Sequence, residues 1–389
     1  MASRLKGKFA IVGVGETKLG KLPDWTTLGL HLDAIKRAVE DAGLKIQDVD
    51  GLVTNQPLED THRSYAVRVA HAAGINPTYA TDLALGGATP CAMVQHAVMA
   101  IDAGLCKTVV CVHARKQATR HQTPTRGQPL RDGEEDFEEP FGLYGAVVNH
   151  AMAARRHMFE YGTKSEDLAE IAVATRGHAC LNPAATMRKP ITVADHQGSR
   201  WIVEPLRLLD CCLVSDGGGA VVVTSAARAK DLRRPAVYVL GFGQHHPHFS
   251  LLEARSLTTL GGKVSAERAF KMAGLRPSDM HFAEIYDCFT ITTLITLEDY
   301  GFCKKGEGKD WVKNGRIALG GELPVNTHGG LLSQAHIEGM LHVTEAVRQL
   351  RWDDVEPERQ AKECRYGVVS GHGAALSMHA TLVLGREPA

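Results

Sequence analysis

The chain has no net charge: its 389 residues carry 44 Lys plus Arg against 44 Asp plus Glu. That balance argues against a role on nucleic acid or on an anionic membrane surface, both of which need a surplus of cations. No apolar run approaches the roughly 18 residues of a membrane-spanning helix. The opening Met1-Ala2-Ser3-Arg4-Leu5-Lys6 leads straight into a strand rather than an apolar leader. A cytoplasmic protein without membrane insertion is the expectation. Nine cysteines are present, none in a C-x-x-C pair. The adjacent Cys211 and Cys212 suit neither a disulfide framework nor a zinc ribbon, so the thiols read as small buried hydrophobes in a reducing compartment. Phe9 to Gly15, FAIVGVG, lacks the third glycine of a dinucleotide fingerprint, because Lys18 stands there. A strand ending in a tight turn is the better reading. His245-His246-Pro247-His248 has no Cys or carboxylate cluster to complete a metal site, so no metal is expected.

What is present is an α/β enzyme in outline. A hydrophobic content of 44% and 39 glycines fit packed layers joined by tight turns. The length calls for two domains. Strands are predicted over Phe9–Gly15, Val49–Val53 and Lys107–His113, with two more across Leu209–Ser225. Helices are predicted over Leu28–Ala42, from Pro90 to about Ala103, Tyr144–Tyr161 and Lys164–Cys180. Between Ala114 and about Gly142 the periodicity vanishes. That stretch has a basic part (Arg115, Lys116, Arg120, Arg126) and an acidic part (Asp132 to Glu139). It reads as a solvated excursion, or as a long loop that shapes a binding site.

The chain then repeats itself. Ala38-Val-Glu-Asp-Ala-Gly-Leu44 followed by Asp48 recurs as Ala269-Phe-Lys-Met-Ala-Gly-Leu275 followed by Asp279. Each copy follows a strand with a G-x-G end, Gly13/Gly15 and Gly241/Gly243. Gly86-Gly87 before a helix matches Gly329-Gly330. This implies two copies of one domain, residues 1–234 (with an excursion over about 114–205) and residues 235–389.

The second copy carries the stretch with most chemical promise, Glu284-Ile285-Tyr286-Asp287-Cys288-Phe289. A short apolar strand gives way there to a helical run, Thr290 to Phe302. In open α/β sheets that edge is where ligands bind. Tyr286 and Asp287 either face a substrate or serve as a core hydrogen bond and a helix cap. Cys91, at the second position of its helix, is a candidate nucleophile through the helix dipole, or a packed small residue. His328 and Asn326 either line a site or cap a helix start.

Two fused copies with Gly-rich helix starts resemble the thiolase superfamily. Asp210-Cys211-Cys212 with Asp216-Gly217, the Glu284–Phe289 motif with Glu298–Cys303, and Gly329–Gly339 resemble its sterol-carrier, lipid-transfer-protein branch. The resemblance spans almost the whole chain. It implies a thiolase fold: two pseudo-symmetric layered αβαβα halves with mixed five-stranded sheets. The departures are informative. The family's nucleophilic cysteine position is Gly87 here, with Cys91 one turn further on. The usual His before Asp-Cys-Phe is Tyr286. Gly-His-Pro becomes Ala335-His336-Ile337, and the second catalytic cysteine falls in Ser370-Gly371-His372-Gly373, which has none.

A Claisen or thiolytic step needs an acyl-enzyme and so a thiolate; a retro-aldol step needs only a base, an acid and donors for an enolate. The pattern resembles thiolase-like acyl-CoA aldolases that cleave steroid side chains. The resemblance implies Tyr286, His336 and His372 as catalytic residues. It implies Gly87, Asn326, His328, Gly371, Gly373, Asp287, Tyr144 and Cys91 around the substrate. In the steroid aldolases a second Tyr stands where this chain has His336, which bears on the substrate more than on the reaction. No permanent cofactor is implied, with a coenzyme A thioester as substrate in steroid or aromatic side-chain degradation. A homodimer and a small OB-fold partner with a zinc ribbon are implied as well. The alternatives are a β-ketoacyl-CoA thiolase using Cys91, and a non-catalytic acyl-CoA or lipid-binding protein.

Overall fold

Long runs of small and β-branched residues are buried along nearly their whole length, as strands covered on both faces must be. The computed structural model describes residues 4–57, 62–119, 139–143, 145–352, 354–374 and 376–388. Within the first half lie β1 (Phe9–Glu16), α1 (Thr27–Asp41), β2 (Gly51–Asn55), α2 (Tyr65–Ala73), β3 (Tyr79–Leu83), α3 (Thr89–Asp102) and β4 (Thr108–Lys116). Next come α4 (Gly145–Tyr161), α5 (Ser165–Leu181), α6 (Val193–Gly198), the short pair β5 (Trp201–Val203) and β6 (Leu206–Arg207), β7 (Asp216–Ser225) and α7 (Ala226–Ala229). The second half holds β8 (Val237–His245), α8 (Gly262–Ala273), β9 (Phe282–Glu284), α9 (Thr290–Asp299), α10 (Gly308–Trp311), α11 (Met340–Arg351), β10 (Tyr366–Gly373) and β11 (Met378–Gly385). Arg120, Arg126 and Asp132 to Glu138 of the charged excursion, and Tyr144, lie outside the described residues.

The main sheet has nine strands in the order β3-β2-β4-β7-β1-β8-β11-β10-β9. Read outward from the β1–β8 junction, the halves mirror each other: β1-β7-β4-β2-β3 against β8-β11-β10-β9. Both are mixed, with antiparallel pairs near the junction and parallel pairs outside. The second half departs from the expected five strands. Its fifth position is a single parallel bridge, Ala283 to Val325. Pro324 before it has no amide to donate, and Asn326 after it takes a left-handed φ of 57°, so the strand cannot extend.

Helices α3 and α11 touch strands of both halves and form the central layer, while α1 packs on β1, β4 and β7, and α8 on β8 and β11. Strand residues alternate accordingly: Ala10 and Val12 pack with Ala34 and Ala38 of α1, and Phe9 and Ile11 pack with the α3 side. The mirrored frame extends to atoms. A Cβ at Gly13 would strike the Ala38 carbonyl, and one at Gly241 the Ala269 carbonyl. Glycine lets each helix lie directly on its strand, which is what the G-x-G ends serve. A bulge follows the same rule, between Ile11 and Gly13 in β1 and opposite Val383 and Leu384 in β8. The buried Arg351 donates to the bulged Val12 carbonyl at 2.9 Å and pairs with Asp41 at 2.7 Å, tying α11 to the first half.

One expected strand is absent. Between Leu208–Asp210 and β7 the chain leaves the sheet: Cys212 donates its amide to Cys288 O at 2.9 Å, and Leu213 to Leu331 O at 3.0 Å. This crossing carries the first half to the segment after β9.

Candidate active site

Parallel pairing of β9 with β10 sets Glu284 beside Val369, so the chain beyond β9 runs past Ser370. Tyr286 donates its amide to Ser370 Oγ at 3.0 Å. Asn326 grips the preceding residue on both sides, accepting from Ile285 N at 2.6 Å and donating to Ile285 O at 2.8 Å. Tyr286 is thereby fixed in irregular backbone ahead of α9. Its ring lies against Gly87: a Cβ there would fall inside Cζ, Cε2 and the phenol oxygen. The phenol thus fills the space where a side chain at position 87 would stand.

His336 arrives by another route. Gly329-Gly330 does not open a long helix, as the sequence suggests; it opens a single π-helical turn, Gly330–Gln334, and α11 begins only at Met340. The Asp287 carboxylate accepts from the Leu331 and Leu332 amides at 2.7 and 3.3 Å and takes the first turn's donors. The chain then swings out, His336 donates its amide to Ser215 Oγ at 3.1 Å, and its Nε2 lies 3.1 Å from the Tyr286 hydroxyl.

Both groups are neutral at neutral pH. Burial pushes the Tyr286 phenol well above its usual value; the neighbouring Cys288 and Cys212 add to this and Arg115 opposes it. Burial also pulls His336 down to about 4, with Arg115 next and Asp287 opposing. A neutral imidazole protonated on Nδ1 accepts the phenol proton at Nε2.

A cavity of about 690 Å³ opens beside the pair, lined by Gly87, Tyr286, His336 and His372 on one wall and by Asn149 and His150 of α4 on the other. His372 is 2% exposed, and neither ring nitrogen has a hydrogen-bond partner among the described residues. Its ring stands 6.2 Å from Tyr286 and 5.6 Å, edge-on, from His150. Burial, reinforced by His150 and His379, holds it neutral. A neutral imidazole keeps one N–H, and this one has no acceptor among the described residues. His150 is committed: Nδ1 donates to Ala146 O at 2.7 Å, and Nε2 lies 3.5 Å from Cys288 Sγ.

Other candidates sit elsewhere. Asp287 is fully buried behind Tyr286, held by the π-helical turn and by His342 Nε2 at 3.1 Å, so it does not reach the cavity. Asn326 is spent on Ile285. His328 is 1% exposed and pairs with Glu284 at 2.8 Å; burial works against its protonation, yet Glu284 raises its pKa. Gly373 lines the cavity, whereas Gly371 packs on the Gly87 carbonyl and Ala88. Tyr144 is outside the described residues. Cys91 is 2% exposed, its Sγ 3.9 Å from Val369 O, and burial pushes its thiol far up. The α3 dipole does not make it a nucleophile, because the residue points into the central core. Cys91→Ala is therefore expected to leave turnover close to wild type, measured as initial rate on the same thioester.

Sequence reading missed Glu338, Asn149 and His150 in the cavity wall. Glu338 stands two residues past His336 in the same loop, and that adjacency was the available signal. Among the described residues no group of three or more His, Cys, Asp or Glu is placed to hold a metal ion, and no helix is long and apolar enough to cross a membrane.

Two family models match, the thiolase N-terminal domain over residues 9–227 and the thiolase C-terminal domain-like model over 243–386. The chain belongs to the thiolase family. Within it, the chain is 43% identical over 368 residues to the 17-hydroxy-3-oxo-4-pregnene-20-carboxyl-CoA lyase of Mycobacterium tuberculosis, covering 91% of this chain and 94% of the relative. It is 41% identical to the steroid side-chain-cleaving aldolase of Thermomonospora curvata, covering 91% and 93%. Among solved structures it is similar to the Ltp2-ChsH2(DUF35) aldolase, with a TM-score of 0.90 at 38% identity over 98% of this chain and 99% of that one. The proteins this chain is similar to thus include ones named as a lyase and as aldolases, and the site has a phenol seated on Gly87.

Proposed function

We propose that this thiolase-family protein catalyses retro-aldol cleavage of a β-hydroxyacyl-CoA thioester, giving a ketone or aldehyde and a shorter acyl-CoA. The observation that carries the reading is the Tyr286 phenol, seated on Gly87 and 3.1 Å from His336 Nε2. The substrate β-hydroxyl sits against the phenol oxygen. It gives its proton to Tyr286 as the phenol proton passes to His336 Nε2. The oxygen lone pair forms the new carbonyl, the Cα–Cβ bond breaks, and its electrons become the thioester enolate. His372 lines the cavity, its N–H has no acceptor among the described residues, and we assign to it the stabilisation of that oxyanion. The proton held on His336 returns through Tyr286 to the α-carbon, so the reaction closes without redox change and without an acyl-enzyme.

The thioester is substrate, and no resident cofactor is needed. The relatives named for steroid side-chain cleavage support a bulky acyl chain of that kind. The Ltp2-ChsH2(DUF35) aldolase supports a partner subunit, for which we propose a small OB-fold protein with a zinc ribbon, and the chain itself pairs as a homodimer. A cytoplasmic location goes with a substrate of this class. Purified protein, with and without partner, should release a carbonyl product from a β-hydroxyacyl-CoA and should not thiolyse a β-ketoacyl-CoA. Thiolysis without cleavage would return the chain to the acyltransferases, and neither reaction would leave a binding protein.

A further inference from the structure

Asp287 follows the phenol in the chain and is fully buried. Its contacts fall on the segment that carries His336. At the near end, Oδ1 accepts from the Leu331 amide at 2.7 Å and Oδ2 from the Leu332 amide at 3.3 Å. At the far end, in the first turn of α11, His342 Nε2 lies 3.1 Å from Oδ1. Facing a carboxylate, that ring nitrogen is the donor. One side chain thus bridges both ends of the stretch from Leu331 to His342, and His336 lies between them.

The fit around this carboxylate is close. Gly330 has a φ of 57°, and a Cβ there would fall on Asp287 Oδ2. The far end closes on the phenol itself. A Cβ at Gly339 would stand 3.1 Å from Tyr286 Cδ2. The His342 ring lies nearly parallel to that of Tyr286, with centroids 6.2 Å apart and planes inclined by 29°. Other hydrogen bonds hold the segment, but they attach it elsewhere. Arg176 Nε donates to Ser333 Oγ at 2.8 Å, and the Met187 and Thr186 amides donate to Ser333 O and Gln334 O at 2.9 and 3.1 Å. The Leu213 amide donates to Leu331 O, and His336 donates its own amide to Ser215 Oγ. All of these join the segment to the first half of the chain. Among the described residues, only the Asp287 bonds and the Tyr286–His336 bond join it to the two residues Tyr286 and Asp287.

We propose that Asp287 is a positioning residue: by bracing both ends of the Leu331–His342 segment against the residue that follows the phenol, it sets His336 Nε2 within reach of the Tyr286 hydroxyl. The inference rests on the acid–base role proposed above for that pair. A proton passes between two groups only at hydrogen-bond reach. A displacement of about 1 Å at a reacting group can cost on the order of 10² in rate. The bonds to the first half keep the segment folded, and the brace registers it against the phenol.

Hydrogen exchange on the full-length protein tests the brace, and kinetics test its consequence. Asp287→Asn sets an NH₂ group against donors that now meet a carboxylate, and His342→Leu opens the far end alone. In both, amides between Leu331 and His342 should exchange faster while those of β10 and β11 stay protected. In both, kcat should fall roughly ten- to a hundredfold with KM moving less. His342→Gln keeps a donor at similar reach and should recover most of the kcat lost in His342→Leu. In a His336→Ala background neither change should lower kcat much further, because the group they position is gone. A merely structural role would lower it in both backgrounds. If Asp287→Asn does not fold, His342→Leu and His342→Gln decide alone. Exchange that matches wild type, equal kcat with Leu and Gln at position 342, a loss carried by KM, or full additivity with His336→Ala overturns the proposal. Faster exchange confined to the segment, in a protein that cleaves no β-hydroxyacyl-CoA, would uphold the brace and refute the retro-aldol reading, so the two fail separately.

Discussion

Tyr286→Phe should reduce kcat for carbon–carbon cleavage by about 10² to 10⁴, the usual contribution of a general acid–base group, while the protein folds normally. The ring remains and continues to fill the space over Gly87. What is lost is one hydroxyl, 3.1 Å from His336 Nε2. A hydrogen bond of that kind contributes about 0.5–1.5 kcal/mol net, too little to unfold a chain of this size. His336→Ala should have a comparable kinetic effect, and the double variant should lose less than the product of the two factors if they act as a unit. The pH profile follows from the same pair. His336 is held down to about 4, so its base form persists below the range of an ordinary histidine. Cleavage should fall as pH drops through about 4 rather than 6.5, and the phenol, pushed up, should stay protonated on the alkaline side. Full turnover by Tyr286→Phe would remove the phenol from the mechanism.

Gly87→Cys, which places a thiol where the resemblance to thiolases expects one, should produce no thiolysis and a less stable protein. The new Cβ falls inside the Tyr286 ring. Overpacking a tight site typically costs about 1–3 kcal/mol, and here the ring cannot retreat easily because Ser370 and Asn326 hold the backbone on either side. Combining the change with Tyr286→Ala should recover part of the loss, since two residues in direct contact give non-additive effects. Thermal melts of the two single variants and the double measure that coupling. A Gly87→Cys protein that melts with wild type would mean the phenol does not occupy the nucleophile's place.

Much of the frame can be read from the residues. The strand runs are apolar because both faces are covered, and the paired G-x-G and Ala-x-x-x-Ala patterns register a helix lying directly on a strand. Tyr286 and His336 were legible as departures from a motif. The inward turn of Asp287, Asn326 and His328 was not, because neighbours in irregular backbone point in unrelated directions and no period predicts them. Their polar type suited a ligand as well as it suits the buried amides and the Glu284 carboxylate they meet. The pairing of Arg115 with Glu338 escaped for a different reason: the sequence reading put Arg115 in a charged excursion, whereas it lies in β4, and only the approach of β4 to the His336 loop makes the two a pair.

The half-built fifth strand of the second half bears on all of this. In the first half, β3 is complete and the chain passes directly through Gly86-Gly87 into α3. In the second, the corresponding strand stops at one bridged residue, and the next stretch, Asn326 to Gly339, is slack that the sheet does not claim. That slack reaches across and brings an imidazole to a phenol. Had symmetry been kept, the chain would have passed from a full strand through Gly329-Gly330 straight into a helix, as it does through Gly86-Gly87 into α3. The Tyr286–His336 contact exists where a duplicated architecture was left unfinished in one of its copies.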